Sequence, residues 1–228
     1  MNQDLAKKLC KTDDAENLLN EELEKVKKRA LELNNARKKM AEGYKLVLEG
    51  LGDAFPVLDM NDPNLTDSHN RMSRALLEVC SGLGVQNKDV FSTTFPAEEY
   101  DEVIILKDIP FVSMCSHHFF PFTGTAHVGY LPDVSNGAES KVVGLSKLAR
   151  IVDAHAQRPQ LQERLCADVK NAISEELKPA GVMVVVEAQH GCLNCRGAKK
   201  HGAIMVTSAL EGSFKENPKL RKEFLSLI

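Results

Sequence analysis

Helical and extended patterns do not alternate one for one along these 228 residues. Helical texture fills residues 13–49 and 70–83. Two extended runs follow, VIILKDI after Glu102 and then GTAHVGYLP. Two helical runs come next, LSKLARIVDAHAQ and LQERLCADVKNAISEELK. Two more extended runs, VMVVVEAQH and AIMVTSALEGSF, precede a short closing helix, NPKLRKEFLSLI. A doubly wound parallel sheet needs a helix between successive strands. This order instead predicts an α+β fold built on an antiparallel sheet.

The first helical stretch contains no proline, and its charges nearly cancel. Apolar residues recur at Leu19, Leu23, Val26, Ala30 and Leu33, a spacing of three to four that marks one helix face. The expectation is a long amphipathic helix, broken at most once. It is either a solvated arm or a coiled-coil or partner-binding element. Residues 51–67 carry Gly, Pro, Asn and Asp clusters and read as a loop. Asp67 or Ser68 can cap the next helix, which stops near Gly82. Residues 133–140, DVSNGAES, read as a polar surface loop. VMVVVEAQH is apolar almost throughout, the mark of a buried strand.

Lys plus Arg is 29 against 32 Asp plus Glu, a formal net charge of −3. That argues against a dedicated nucleic-acid binder, which presents a strongly basic face. No apolar run is long enough to cross a bilayer, so no membrane association is expected. The N-terminus lacks the apolar core of a secretory signal, and a cytoplasmic location is the expectation. In such a reducing compartment the six cysteines point to metal or catalysis rather than to a disulfide framework.

Two clusters carry the chemistry. Cys115-Ser116-His117-His118 follows one apolar strand, and His190-Gly191-Cys192-Leu193-Asn194-Cys195-Arg196 follows another. A strand end holds a side chain at fixed geometry. Zinc takes thiolate and imidazole ligands in a tetrahedron, and a catalytic site keeps one position open. Cys115, His118 and one thiol of the second cluster would supply three ligands, leaving His117 free as an acid or base. A closed structural site using Cys115, His118, Cys192 and Cys195 is the alternative, as is a redox pair at Cys192 and Cys195. The zinc deaminase signature also ends in Cys-x-x-Cys, but no histidine here has glutamate two residues on.

A third group is cationic. Lys147 and Arg150 share a helix face behind Ser146, and cations beside a helix N-terminus form an anion site. Arg196 follows the second thiol cluster, and Arg71 and Arg74 stand three apart on an earlier helix. Taken singly, each also reads as a solvated charge. Glu163, beside Gln162, could accept two hydrogen bonds from a guanine edge, or could form an ordinary helix-surface ion pair.

From about residue 36 onward the sequence resembles type I GTP cyclohydrolase. The segments that carry the likeness are FVSMCSHHFFPFTGTAHVGYLP, VVGLSKLARIVDAHAQRPQLQERL, KPAGVMVVVEAQHGCLNCRG and VTSALEGSFKENPKLRKEFLSLI. The resemblance implies the tunnelling fold: a four-stranded antiparallel sheet with two long helices, here with an N-terminal helical arm over residues 1–35 and the enzyme domain over 36–228. It implies a decamer of two stacked pentamers with active sites at subunit interfaces. It implies zinc on Cys115, His118 and Cys192, with His117 and His190 transferring protons. It implies Glu163 on guanine with Gln162 and Ser146 nearby, and Lys147, Arg150, Arg196 and Arg71 on the triphosphate, Arg71 from a neighbouring subunit. The implied reaction is hydrolysis of GTP at C8 and rearrangement to 7,8-dihydroneopterin triphosphate and formate, the first step towards folate or biopterin.

The sequence departs from that family at several points. Ser116 stands where the family has glutamate, and Cys195 where it has an apolar residue, often Met. Ser68-His69-Asn70-Arg71 replaces Thr-Pro-x-Arg and keeps the arginine, and Arg74 stands where Lys is common. These changes keep alive a second expectation: a zinc-binding paralogue without the activity, or with altered specificity, that retains the ring assembly.

Overall fold

A computed structural model describes residues 12–135 and 140–228, with side chains from Glu16 onward. The first eleven residues of the expected arm and residues 136–139 of the expected polar loop lie outside the described residues. The chain divides into two compact units, Met1–Leu77 and Glu78–Ile228.

The first unit holds α1 (Thr12–Ala54), a single helix of 43 residues. With no proline to interrupt its hydrogen-bond ladder, the break allowed by the sequence does not occur. Helix α2 (Ser68–Val79) begins at the expected cap region. It gives way to a 3-10 turn, Ser81–Gly84, earlier than the helical texture suggests. Gly82 is needed there, since a Cβ would lie 2.3 Å from the Ala154 carbonyl oxygen.

The second unit is α+β. Its sheet contains β1 (Ile104–Cys115), β2 (Pro121–Leu131), β3 (Gly181–His190) and β4 (Met205–Gly212), consecutive neighbours and all antiparallel. A fifth, two-residue strand, Pro159–Gln160, pairs parallel to the end of β1, so the sheet has five strands where the expectation has four. The proline at residue 159 sits on this edge strand, where a missing N–H costs no ladder bond. Strand β1 also runs through FVSMC to Cys115, well past VIILKDI. Its register shifts between Leu106 and Ile109, where Asp108 takes a positive φ of 56°. Beyond that bulge Ile109, Phe111, Ser113 and Cys115 alternate inward.

Helices α3 (Leu145–Ala156) and α4 (Gln162–Leu177) cover one face of the sheet. Leu148, Ile151 and Val152 of α3, with Leu165, Val169 and Ile173 of α4, are buried at helical spacing. They meet Phe122, Val128 and Tyr130 of β2 and Val182, Val184 and Val186 of β3. Each such side chain contributes on the order of 1.5–3 kcal/mol when fully buried. On the opposite face Met183 and Val185 pack under Phe214 and under Phe224 of α5 (Pro218–Leu227). Strand β3 is therefore covered on both sides, as its continuous apolar run requires.

Candidate metal centre and nucleotide cavity

The two Cys/His clusters meet because β1 and β3 flank β2 and end at the same edge. Phe122 of β2 pairs with His190, and Met114 pairs with Pro121. The turn after β1 is fixed by backbone bonds: Cys115 N–H donates to Phe120 O (2.9 Å), and Phe119 N–H donates to Cys115 O (2.9 Å). Phe119 holds a positive φ of 53° to close it. After β3 the chain enters a single helical turn, Gly191–Asn194, which carries Cys192.

The ligand atoms of Cys115, His118 and Cys192 all lie within 4.8 Å of one another. Cys115 is buried, Cys192 half-buried and His118 exposed, so the cluster opens outward. Ligand atoms on a tetrahedral zinc with thiolate bonds are about 3.8 Å apart, so a small closure seats the ion. Two thiols and one imidazole suit zinc, and three ligands leave a fourth position. Burial, then the neighbouring Cys115 thiol, pushes the Cys192 thiol up; a bound cation reverses that by favouring thiolate. Cys195 stands apart from the cluster, its thiol 2.8 Å from the Gly191 carbonyl oxygen it donates to.

A cavity of about 170 Å³ adjoins the cluster, lined by Cys115, His117, Gln160 to Glu163, His190, Cys192 and Met205. The His117 Nδ1 lies 4.0 Å from the Cys115 sulfur, and its ring faces that of His118 edge-on. His190 stacks flat on Phe122 with centroids 4.6 Å apart. Its Nε2 lies 2.8 Å from Gln162 Oε1. Both amide hydrogens of Gln162 are taken, by Val186 O (2.9 Å) and Met205 O (2.8 Å), so the oxygen must face His190. That assigns the His190 proton to Nε2 and leaves Nδ1 as the acceptor. Burial holds the His190 pKa down, against the Glu163 charge, which raises it. Glu163 is exposed in the first turn of α4, where the helix N-terminus favours its negative charge.

Ser116 turns toward α4. Its hydroxyl accepts from the Arg164 guanidinium at 3.2 Å, and its N–H donates to Gln160 O at 3.0 Å. Arg164 also bonds the Gln160 side-chain oxygen and Pro159 O. Gln160 passes its own amide hydrogens to Asp168 and to His155 O.

Ser146, Lys147 and Arg150 are not brought to this cavity within one chain, whereas the Arg196 charge acts on Cys192. Val143 N–H donates to the Tyr130 hydroxyl, and Tyr130 pairs with Ile104 at the far end of the sheet. Tyr130 and Phe122 are eight strand positions apart, about 26 Å. Helix α3 starts at that far end, so Ser146, Lys147 and Arg150 are displaced from the thiol cluster. Arg196 is exposed just beyond Cys195, and Arg71 belongs to the first unit. Phe122, Gln160 and Met205 are site residues that motif reading missed. Only Phe122 carried a signal, through the aromatic run after His118.

A sequence model of the family described as GTP cyclohydrolase I matches residues 40–228. GTP cyclohydrolase 1 of Geobacillus kaustophilus is 48% identical over 184 residues, covering 81% of this chain and 92% of that protein. The Halalkalibacterium halodurans protein of the same name is 46% identical over 190 residues, covering 83% of this chain and 95% of the relative. That of Streptococcus gordonii is 51% identical over 164 residues, covering 72% and 84%.

Proposed function

The chain belongs to the GTP cyclohydrolase I family and is an enzyme of that type, and on that premise we propose how its own residues carry the reaction. The substrate is GTP. One purine carbon leaves as formate, and the rest closes to 7,8-dihydroneopterin triphosphate. Two waters are added and one is lost on ring closure, so one is consumed overall.

The observation that supports this reading best is a three-ligand cluster opening beside a cavity that also holds Glu163, His117 and His190. Zinc on Cys115, His118 and Cys192 would supply Lewis-acid activation of water near neutral pH. Glu163 accepts from the N1–H and 2-amino group of guanine, which sets the purine's orientation. His117 delivers a proton to N7, which makes C8 electrophilic. His190, its tautomer held by Gln162, handles the proton at the ribose ring oxygen. Ser146, Lys147, Arg150, Arg196 and Arg71 position a triphosphate that is never cleaved.

Ser146, Lys147 and Arg150 stand on a helix that starts at the opposite end of the sheet, and about 170 Å³ is less than a nucleotide-sized pocket needs. A second copy of the chain therefore completes the site, in keeping with a tunnelling-fold ring of two pentamers. The arm and enzyme domain divide near residue 35, just ahead of the family match. No described helix is long and apolar enough to cross a membrane, and a cytoplasmic enzyme is the reading adopted. The test is GTP turnover by the zinc-loaded protein. Formate and pterin in equal amounts are expected. Bound GTP and zinc with neither product would overturn the enzyme mechanism and leave the zinc-binding paralogue.

A further inference from the structure

Helix α1 extends N-terminally beyond the residues that match the family, which begin at 40. Its apolar positions Leu19, Leu23, Val26, Ala30 and Leu33 alternate in steps of four and three. That is the heptad seam of a coiled coil, with d at 19, 26 and 33 and a at 23 and 30. The next seam position is Arg37, which ends the apolar run. The helix is 43 residues, about 63 Å long, and such length with sustained periodicity is the habit of coiled coils. The seam is uncovered: Leu19 is 70% exposed, Val26 63% and Leu23 47%.

We propose that residues 18–34 pair with the same segment of a second copy of this chain as a two-stranded coiled coil. The flanking charges are self-complementary. Glu22 occupies a g position, Lys27 an e position and Arg29 the next g. In a parallel pair Glu22 faces Lys27 of the other strand; in an antiparallel pair with the seams in register it faces Arg29. Between Leu19 and Leu33 either orientation sets an acid against a base, and the seam positions just outside, Glu16 and Arg37, bound the apolar run. A helix built for a different protein would gain specificity from flanks of one sign matched to an opposite partner. Here the flank carries both signs, so the fitting partner is itself. Glu22 already pairs with Lys25 on its own helix (2.7 Å), an exposed contact that adds the second partner at little cost. A short seam is weak between free chains, but joining subunits of one assembly raises its effective concentration and makes pairing favourable.

The test uses full-length protein and two readouts. In hydrogen exchange the amides of residues 18–34 are expected to be protected on the order of 100-fold over coil values, and Leu23→Glu with Val26→Glu to abolish that while the sheet stays protected. In mild oxidation, Leu23→Cys with Val26→Cys is expected to give covalent dimers in either orientation, whereas Lys28→Cys on the outer face gives no more than wild type. Coil-like exchange of the wild-type arm, protection indifferent to the glutamate pair, or cross-linking no better at 23 and 26 than at 28 would each overturn self-pairing.

Discussion

Gln162 offers the sharpest test of how the cavity is built. It is 1% exposed, and its amide group makes three hydrogen bonds, to His190, Val186 O and Met205 O. Gln162→Met keeps the side chain's length and removes all three. One buried carbonyl, one half-buried carbonyl and one half-buried ring N–H lose this partner. At about 1–3 kcal/mol per orphaned group, reduced by the apolar burial methionine regains, the loss is about 3 kcal/mol. For a chain of this size that lowers the melting temperature by about 6–12 °C. The kinetic effect is separate. With Oε1 gone, His190 loses the group that fixes its proton on Nε2 and holds its ring angle. A positioned acid or base contributes about 10²–10⁴-fold, so kcat is expected to fall about 10- to 100-fold with KM for GTP little changed. Calorimetry, formate release and zinc content are measured on the same preparation. A melting loss of the stated size with kcat within twofold of wild type would refute the positioning role and leave Gln162 a packing residue.

Cys192→Ala is expected to lower zinc affinity by on the order of 100-fold or more, and Cys195→Ala to leave it unchanged, by chelator competition; the reverse pattern would move the ligand to Cys195. His155 is buried against Asn87 with its Nδ1 unbonded, and burial, then the Arg158 charge, lowers its pKa from 6.5 to about 4. A depressed histidine pKa means the unfolded chain binds the proton more readily, so stability is full above pH 6.5 and falls as pH drops towards 4, by roughly 3 kcal/mol. Urea midpoints against pH should show this slope in wild type and lose most of it in His155→Gln. Ser116→Ala removes one exposed hydrogen bond and should cost under about 1 kcal/mol with zinc retained; loss of the metal would show that the turn depends on the hydroxyl.

The α+β order and the burial of β3 were legible because they rest on local period and composition. The short strand Pro159–Gln160 was not, since two residues carry no period, and only the end of β1 makes them a strand. The continuity of β1 from VIILKDI to Cys115 was hidden for a related reason. The bulge at Asp108 shifts the inward face by one residue, so alternation fails across VIILKDIPFVSMC as a whole and holds only on either side. In the site, Cys115, His118 and a thiol after β3 were legible as chemically unusual residues after strand ends, and only the family resemblance singled out Cys192 over Cys195. Gln162 was visible only as a neighbour of Glu163. Its role depends on carbonyls of Val186 and Met205, which no side-chain pattern encodes.

Ser116 shows how a small neutral residue sits inside the Cys115–His118 turn without setting the turn's geometry. The turn from Cys115 to Phe120 is closed by backbone bonds at both ends and by the backbone of Phe119, none of which involves the residue 116 side chain. The Ser116 N–H is anchored on Gln160 O, again by backbone. What the side chain adds is one contact to Arg164, and that guanidinium has two other acceptors in Gln160 and Pro159. The negative charge near this network is supplied by Asp168, joined through the Gln160 amide. A neutral hydroxyl therefore takes the position without stranding an unpaired cation, and the thiol and imidazole of the motif keep their aim.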